Sequence, residues 1–380
     1  MVDERRMVDL FQALVRYDSE SFQEKRIGQE VTKRLENLGL EILTEGATRK
    51  EYLERHPDSH PNIFARLQGT TPGEPVLFSA HLDTVSPGKN KQIVISDDGV
   101  IHSGGDTVLG ADDISGMVSI IEALTVIREE KLDHPDIELL ITAAEEPFCE
   151  GSRYFRFEQI KARAAYVLDL TGPVGTAADQ APSIVSFEAE ILGKAAHAGF
   201  APEEGINALT ALVRSLSRIQ TGRIDENTTV NIGTIAGGRS NNIVPDYVRV
   251  TGEVRSLVPG EALQRTEEIL KQFVLFAEEA GGEALCSHIE HIRSYGPKEN
   301  SLALERFRAA CEKEAVPMKV IRTMGGSEAN RLNEAGIPSI VIACGMENVH
   351  SCAESCRISE LVRSAQLSLR LMTLERAGER

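Results

Sequence analysis

The amino-acid sequence predicts an α/β protein: a layered domain with a central, mostly parallel sheet flanked by helices, plus an inserted ferredoxin-like α+β block. Two textures predict it. Short apolar runs at 62–67, 75–80, 136–142 and 164–170, bounded by Gly, Pro or charge, have the length of strands buried on both faces. Helical patterns such as 114–130 alternate with them, which gives a sheet covered by helices. From about 183 to 295 the texture becomes strand–helix–strand–strand–helix–strand, the order of a split βαβ unit. The length of 380 residues also asks for more than one domain.

The elements follow in order. Val8, Phe11, Leu14 and Val15 recur at helical spacing, as do Ile27, Val31, Leu35 and Leu38. Ser19 or Ser21 caps the second helix in this reading, and Gly39 stops it. The polar stretch 45–61 has no period and reads as a loop. In the middle block, Val185, Phe187, Ala189 and Ile191 alternate as in a half-exposed strand. A helix at 206–219, strands at 228–235 and 247–257, a helix at 261–279 and a strand at 283–291 complete the block. Such a unit leaves one sheet face open. The stretch 302–380 returns to helix–strand–helix texture. The reading is one domain built from 1–182 and 296–380, interrupted by a second at 183–295.

Charge excludes several functions. Lys and Arg number 41 against 58 Asp and Glu, a net charge of −17. That surface repels phosphate backbones and anionic lipid, so nucleic acid and membrane are not expected partners. The longest apolar stretch, 337–346, is too short to span a bilayer. The opening MVDERRMVDL lacks an apolar secretory core, and six cysteines form no regular framework. Both point to a cytoplasmic protein with reduced thiols.

The chemistry lies at predicted strand ends. His81 and Asp83 are two apart after an apolar run and so share a face, which suits a metal-binding imidazole held by a carboxylate. Asp112 and Asp113 open the helix after a Gly-rich turn. Glu145 and Glu146 follow the strand at 136–142, and Asp169 ends another. The C-terminal edge of a parallel sheet is where open α/β folds bind ligands. His350 follows the run at 337–343. It could instead join Cys352 and Cys356 in a structural zinc site, but no second pair with zinc-finger spacing accompanies it. Asp112, Glu145, Glu146 and Asp169 cannot all stay ionised together without cations. Two divalent ions and two neutral histidines would nearly balance three ligand carboxylates, leaving Glu145 free as a general base.

At this point the sequence resembles the two-zinc exopeptidases. The matching stretches are HLDT at His81, GADD at Gly110, AEE at Ala144, LDLTG at Leu168 and VHS at Val349. GADDISGM and GKAAHAGFAPEEGINA look most like the peptidase T, or tripeptide aminopeptidase, branch. The resemblance implies two Zn2+ ions per chain, with Co2+ or Mn2+ also accepted by such donors. His81 and Asp169 would hold one ion, Glu146 and His350 the other, and Asp112 would bridge them. Asp83 would orient His81, and Glu145 would act as general base. The Asp112–Asp113 peptide bond would be cis.

The resemblance also makes the inserted block a lid, and a homodimer would form through it. There His197 would steady the oxyanion, Asn242 would sit near substrate, and Arg255 would grip a peptide carboxylate. The Gly-rich loop at Gly325 and Gly326 would approach substrate closely. The implied substrate is a short peptide, foremost a tripeptide cut from its amino end, or an acylated amino acid. The alternatives are a deacylase or carboxypeptidase of the same family, and a non-catalytic peptide-binding relative. Two positions depart from the branch pattern. Ala144 stands where an Asp often precedes the Glu pair, and Glu328–Ala329 follow the Gly-rich loop in place of Asp–Gly.

Overall fold

A computed structural model describes residues 1–298 and 301–373; the predicted stretch 374–380 lies outside the described residues. The chain divides into two compact units. The first comprises Met1–Gln180, Pro297–Arg322 and Ser327–Arg380, and the second Ala181–Gly296 with Thr323–Gly326. The Gly-rich loop residues Gly325 and Gly326 therefore pack with the second unit.

The first unit is built on an eight-stranded sheet. Its order is Glu41–Ile42, Ile63–Leu67, Ile137–Thr142, Val76–His81, Ala164–Leu170, Ser339–Ala343, Thr176–Gln180 and Lys319–Arg322. The four central strands, from Ile137–Thr142 to Ser339–Ala343, run parallel. Their apolar runs are explained by burial on both faces, since every residue of Val76–His81 and Ile137–Thr142 is buried. The helix Ala111–Glu130 packs on Val76–His81 and Ala164–Leu170 and against the helices Glu4–Val15 and Ile358–Thr373. It is buried almost all round, so it carries no strong apolar stripe.

Several local features differ from the sequence reading. The helix Lys50–Arg55 occupies part of the expected loop, anchored by the buried Tyr52, whose hydroxyl lies 2.7 Å from Ser59 Oγ. The second helix runs from Lys25 to Asn37 with Glu24 at its cap position, so neither Ser19 nor Ser21 caps it. Gly39 does stand at positive φ, 87°. A second small sheet joins Met346–Glu347, Ser355–Arg357, Val100–Ser103 and Ile93–Ile95. Strands of two to four residues are too short for periodicity to reveal.

The second unit holds a five-stranded antiparallel sheet in the order Gly222–Arg223, Thr228–Gly237, Tyr247–Ser256, Ser183–Leu192 and Glu283–Ile292. Helices Ala208–Leu216 and Glu261–Glu279 cover one face. Val185, Phe187, Ala189 and Ile191 meet Leu212, Ile269 and Phe273 there. The first of these helices is shorter than its apolar pattern and is capped by Asn207, whose side chain accepts from Thr210 N–H. Leu285 and Ile289 remain half exposed. Among the described residues no helix is long and apolar enough to cross a membrane.

Candidate metal centre

The sheet topology delivers acids and imidazoles from five chain segments to one edge. His81 is the last residue of its strand, Asp169 lies near the end of the neighbouring one, and Glu146 and His350 follow two others. Asp112 sits at the start of Ala111–Glu130, where its φ and ψ are not helical, and the Asp112–Asp113 bond is cis.

Two ligand groups result, and they share one residue. His81, Asp112 and Asp169 have donor atoms within 4.8 Å of one another, as do Asp112, Glu146 and His350. The Asp112 carboxylate is divided between them: Oδ1 lies 3.0 Å from His81 Nε2, and Oδ2 lies 3.2 Å from His350 Nε2. His350 Nε2 is also 2.9 Å from Glu146 Oε2. Cys352 is exposed and Cys356 buried, and neither joins these groups.

The electrostatics are those of carboxylates gathered without enough positive charge. Burial, then Asp112 and Glu145, raises the Asp169 carboxyl well above its usual range. Burial, then Asp112, raises Glu146 to about 7. Burial works against ionised Asp112, but His350 and His81 overcome it and hold that carboxyl far below the usual range. Glu146 Oε1 is buried with no hydrogen-bond partner. A buried, unpaired carboxylate oxygen facing other acids is the situation a divalent cation resolves. The oxygen and imidazole donors fit such an ion.

The supports around the ligands are as ordered as the ligands. His81 Nδ1 lies 2.9 Å from the Asp83 main-chain carbonyl and 3.5 Å from the Asp83 carboxylate. The carbonyl therefore orients the ring and turns Nε2 toward the acids. The Asp83 side chain does something the sequence did not suggest. It accepts from Ser21 Oγ at 2.7 Å and from the amides of Glu145 and Glu146 at 2.8 and 3.2 Å. Glu24, fully buried, accepts from Ala144 N–H at 3.0 Å in the same turn. Asp113 accepts from His81 N–H and Gly116 N–H. A Cβ on Gly116 would lie 2.3 Å from Asp113 Oδ1, which explains that glycine. Glu354 accepts from Leu109, Gly110 and Asp112 N–H at 2.7, 2.7 and 2.9 Å. Asp83 and Asp113 stand beside positions the sequence marks, but Glu24 and Glu354 reach the main chain of distant segments, so no motif marks them; the position of Glu354 four residues after His350 is the one available signal.

Glu145, 7 % exposed, leads the turn. Burial, then Glu328, raises its carboxyl well above the usual range. Glu328 is itself buried, with Oε1 accepting from Thr142 Oγ1 at 3.0 Å.

The remaining candidates belong to the second unit. His197 is exposed, and its Nδ1 accepts from Gly199 and Phe200 N–H at 3.1 and 3.2 Å. The ring proton is thereby placed on Nε2. The imidazole stacks on Phe200 with centroids 4.2 Å apart. Asn242 Oδ1 accepts from Ser240 Oγ. Arg255 makes two hydrogen bonds to Glu253 and a third to the Met324 carbonyl. Its fork is thus already engaged. A Cβ on Gly326 would lie 2.2 Å from Ile292 Cδ1, so packing within the unit requires that glycine.

Comparison with known proteins shows peptidases among those similar to this chain. A family described as a peptidase dimerisation domain of the M20 type matches residues 181–281, and peptidase family M28 matches residues 62–218. The crystal structure of aminopeptidase PepT from Bacillus cereus is 34% identical, covers 98% of both chains and superposes with a TM-score of 0.87. That of a tripeptidase from Staphylococcus aureus is 30% identical over 98% of this chain and 99% of its own, with a TM-score of 0.92. Peptidase T from Streptococcus pyogenes is 24% identical over 283 residues, 72% of this chain and 67% of that protein.

Proposed function

Since the chain belongs to the M20 peptidase family, on its peptidase T-like side, we propose that it is a two-zinc aminopeptidase that removes the first residue of tripeptides. The observation that carries this reading is the divided Asp112 carboxylate, one oxygen toward His81 and the other toward His350. His81, Asp169 and Asp112 Oδ1 would hold one ion; Glu146, His350 and Asp112 Oδ2 would hold the second. Bound there, the ions supply Lewis acidity toward the scissile carbonyl and toward water.

The rest is work for the side chains. Glu145 takes a proton from the attacking water and returns it to the leaving amine. The raised carboxyl supports that role, because a carboxylate of higher pKa is the stronger proton acceptor. His197 donates Nε2–H to the oxyanion, in keeping with the tautomer its loop imposes. Asn242 lines the substrate, and Gly326 presents its main chain. Arg255 exchanges Glu253 for the peptide carboxylate. The protein works in the cytoplasm as a homodimer formed through the second unit, a proposal supported by the dimerisation-domain match and tested by its mass in solution.

Glu145→Gln, loaded with metal, should retain its metal and lower kcat by about 10²- to 10⁴-fold on a free tripeptide. Near-normal hydrolysis would remove Glu145 from the role. Comparison of free, N-acetylated and C-amidated trialanine tests the substrate class. Preference for the free amino end supports the aminopeptidase, and preference for the blocked one a deacylase.

A further inference from the structure

The turn after the Glu pair is tightly held. Ala144, Phe148 and Cys149 all have positive φ, at 46°, 63° and 56°. The Cys149 N–H donates to the Glu145 carbonyl at 2.6 Å, and the Cys149 carbonyl accepts from Ser152 Oγ and Arg153 N–H, each at 3.2 Å. With both main-chain groups engaged, the direction of the Cys149 side chain is set by the backbone. It is 1 % exposed, and its Sγ lies 3.3 Å from Glu145 Oε1.

The thiol remains a donor. Burial, then the adjacent carboxylates of Glu328 and Glu145, pushes its pKa well above the ordinary thiol range. Glu145 needs such a donor because another acid stands beside it. Carboxylate oxygens of Glu145 and Glu328 and the Cys149 sulfur all lie within 4.8 Å of one another. Glu328 has the Thr142 hydroxyl. Glu145 has the thiol, without which repulsion would turn its carboxylate away from Glu328.

We infer that Cys149 is a positioning residue for Glu145: its S–H holds Oε1 so that Oε2 is left to exchange protons with the attacking water. This rests on the reading of Glu145 as the base. Serine and alanine have nearly equal volumes, and both leave the space of the sulfur unfilled. They differ in the hydrogen-bond donor, so the pair separates positioning from packing.

Metal-loaded Cys149→Ala and Cys149→Ser should be assayed on trialanine, or on N-acetylalanine if the wild type prefers it, with metal content measured alongside. Cys149→Ala should lower kcat about tenfold with KM and metal content nearly unchanged, the scale of one lost hydrogen bond in the reacting geometry. Cys149→Ser should recover kcat to within about threefold of wild type. In the Glu145→Gln background, Cys149→Ala should cost nothing further. Equal losses in the two variants, or none in Cys149→Ala, overturn the inference while leaving the base intact. An active Glu145→Gln enzyme overturns the base itself.

Discussion

A carboxylate that accepts three main-chain N–H groups in a dry site is hard to replace, because its removal strands the donors. Glu354 is 1 % exposed and holds the amides of Leu109, Gly110 and Asp112, so it fixes the backbone on which the shared aspartate is mounted. Glu354→Ala should destabilise the fold by about 2–4 kcal/mol and weaken metal binding roughly 10- to 100-fold. Chemical denaturation and metal titration read the two effects separately; unchanged metal affinity would count against the anchoring role. At this scale the sequence exposed the groups that aim at a ligand and hid those that aim at main chain. His81, Asp112, Glu146, Asp169 and His350 carry motif spacing. Glu24 and Glu354 meet the main-chain groups of Ala144 and of Leu109 to Asp112 only once distant segments come together. Cys149 was equally hidden, since nothing in EEPFCEG says that its thiol meets Glu145.

Among elements, the long ones were legible and the short ones were not. Strands such as Ala164–Leu170 announce themselves because burial on both faces demands an unbroken apolar run. The helix Lys50–Arg55 is fixed by a single buried tyrosine, and the strands of the four-stranded sheet are too brief to carry a period. The turn from Ala143 to Gly151 carries Glu145, the proposed base. Gly151 closes it: a Cβ there would lie 1.9 Å from the Ala143 carbonyl oxygen and 3.1 Å from Asn62 Oδ1. The first of these atoms is main chain and cannot swing aside. Gly151→Ala should therefore destabilise by about 3 kcal/mol and lower kcat as Glu145 shifts with the turn. A denaturation midpoint equal to wild type would show that the turn yields more easily than its packing indicates.

For the whole molecule, the crowded acids make stability depend on the ions proposed for the site. Anything bound by the folded chain and not by the unfolded one stabilises it by mass action. Chelation should lower the melting temperature, and restored Zn2+ should return it. The metal-free protein should also respond to pH in one direction. Glu146 has a folded pKa raised from 4.5 to about 7, so its contribution is present below pH 4.5 and lost as pH rises through 7. Melting of the chelated protein should fall across that window, and the metal-loaded protein should change less. A melting temperature indifferent to both chelation and pH would show that the acids are compensated by other means.

The interrupted chain path has a consequence for biosynthesis. Ser339–Ala343 inserts between Ala164–Leu170 and Thr176–Gln180, and His350 comes later still. On the ribosome, the stretch 181–296 emerges complete and can fold as its own body, while the larger sheet still lacks its sixth and eighth strands. The last of the proposed donors, His350, follows all the others in the chain. A nascent chain of this design would lack the proposed set of donors until that late segment has been made, and a product cut short before it would never complete the set.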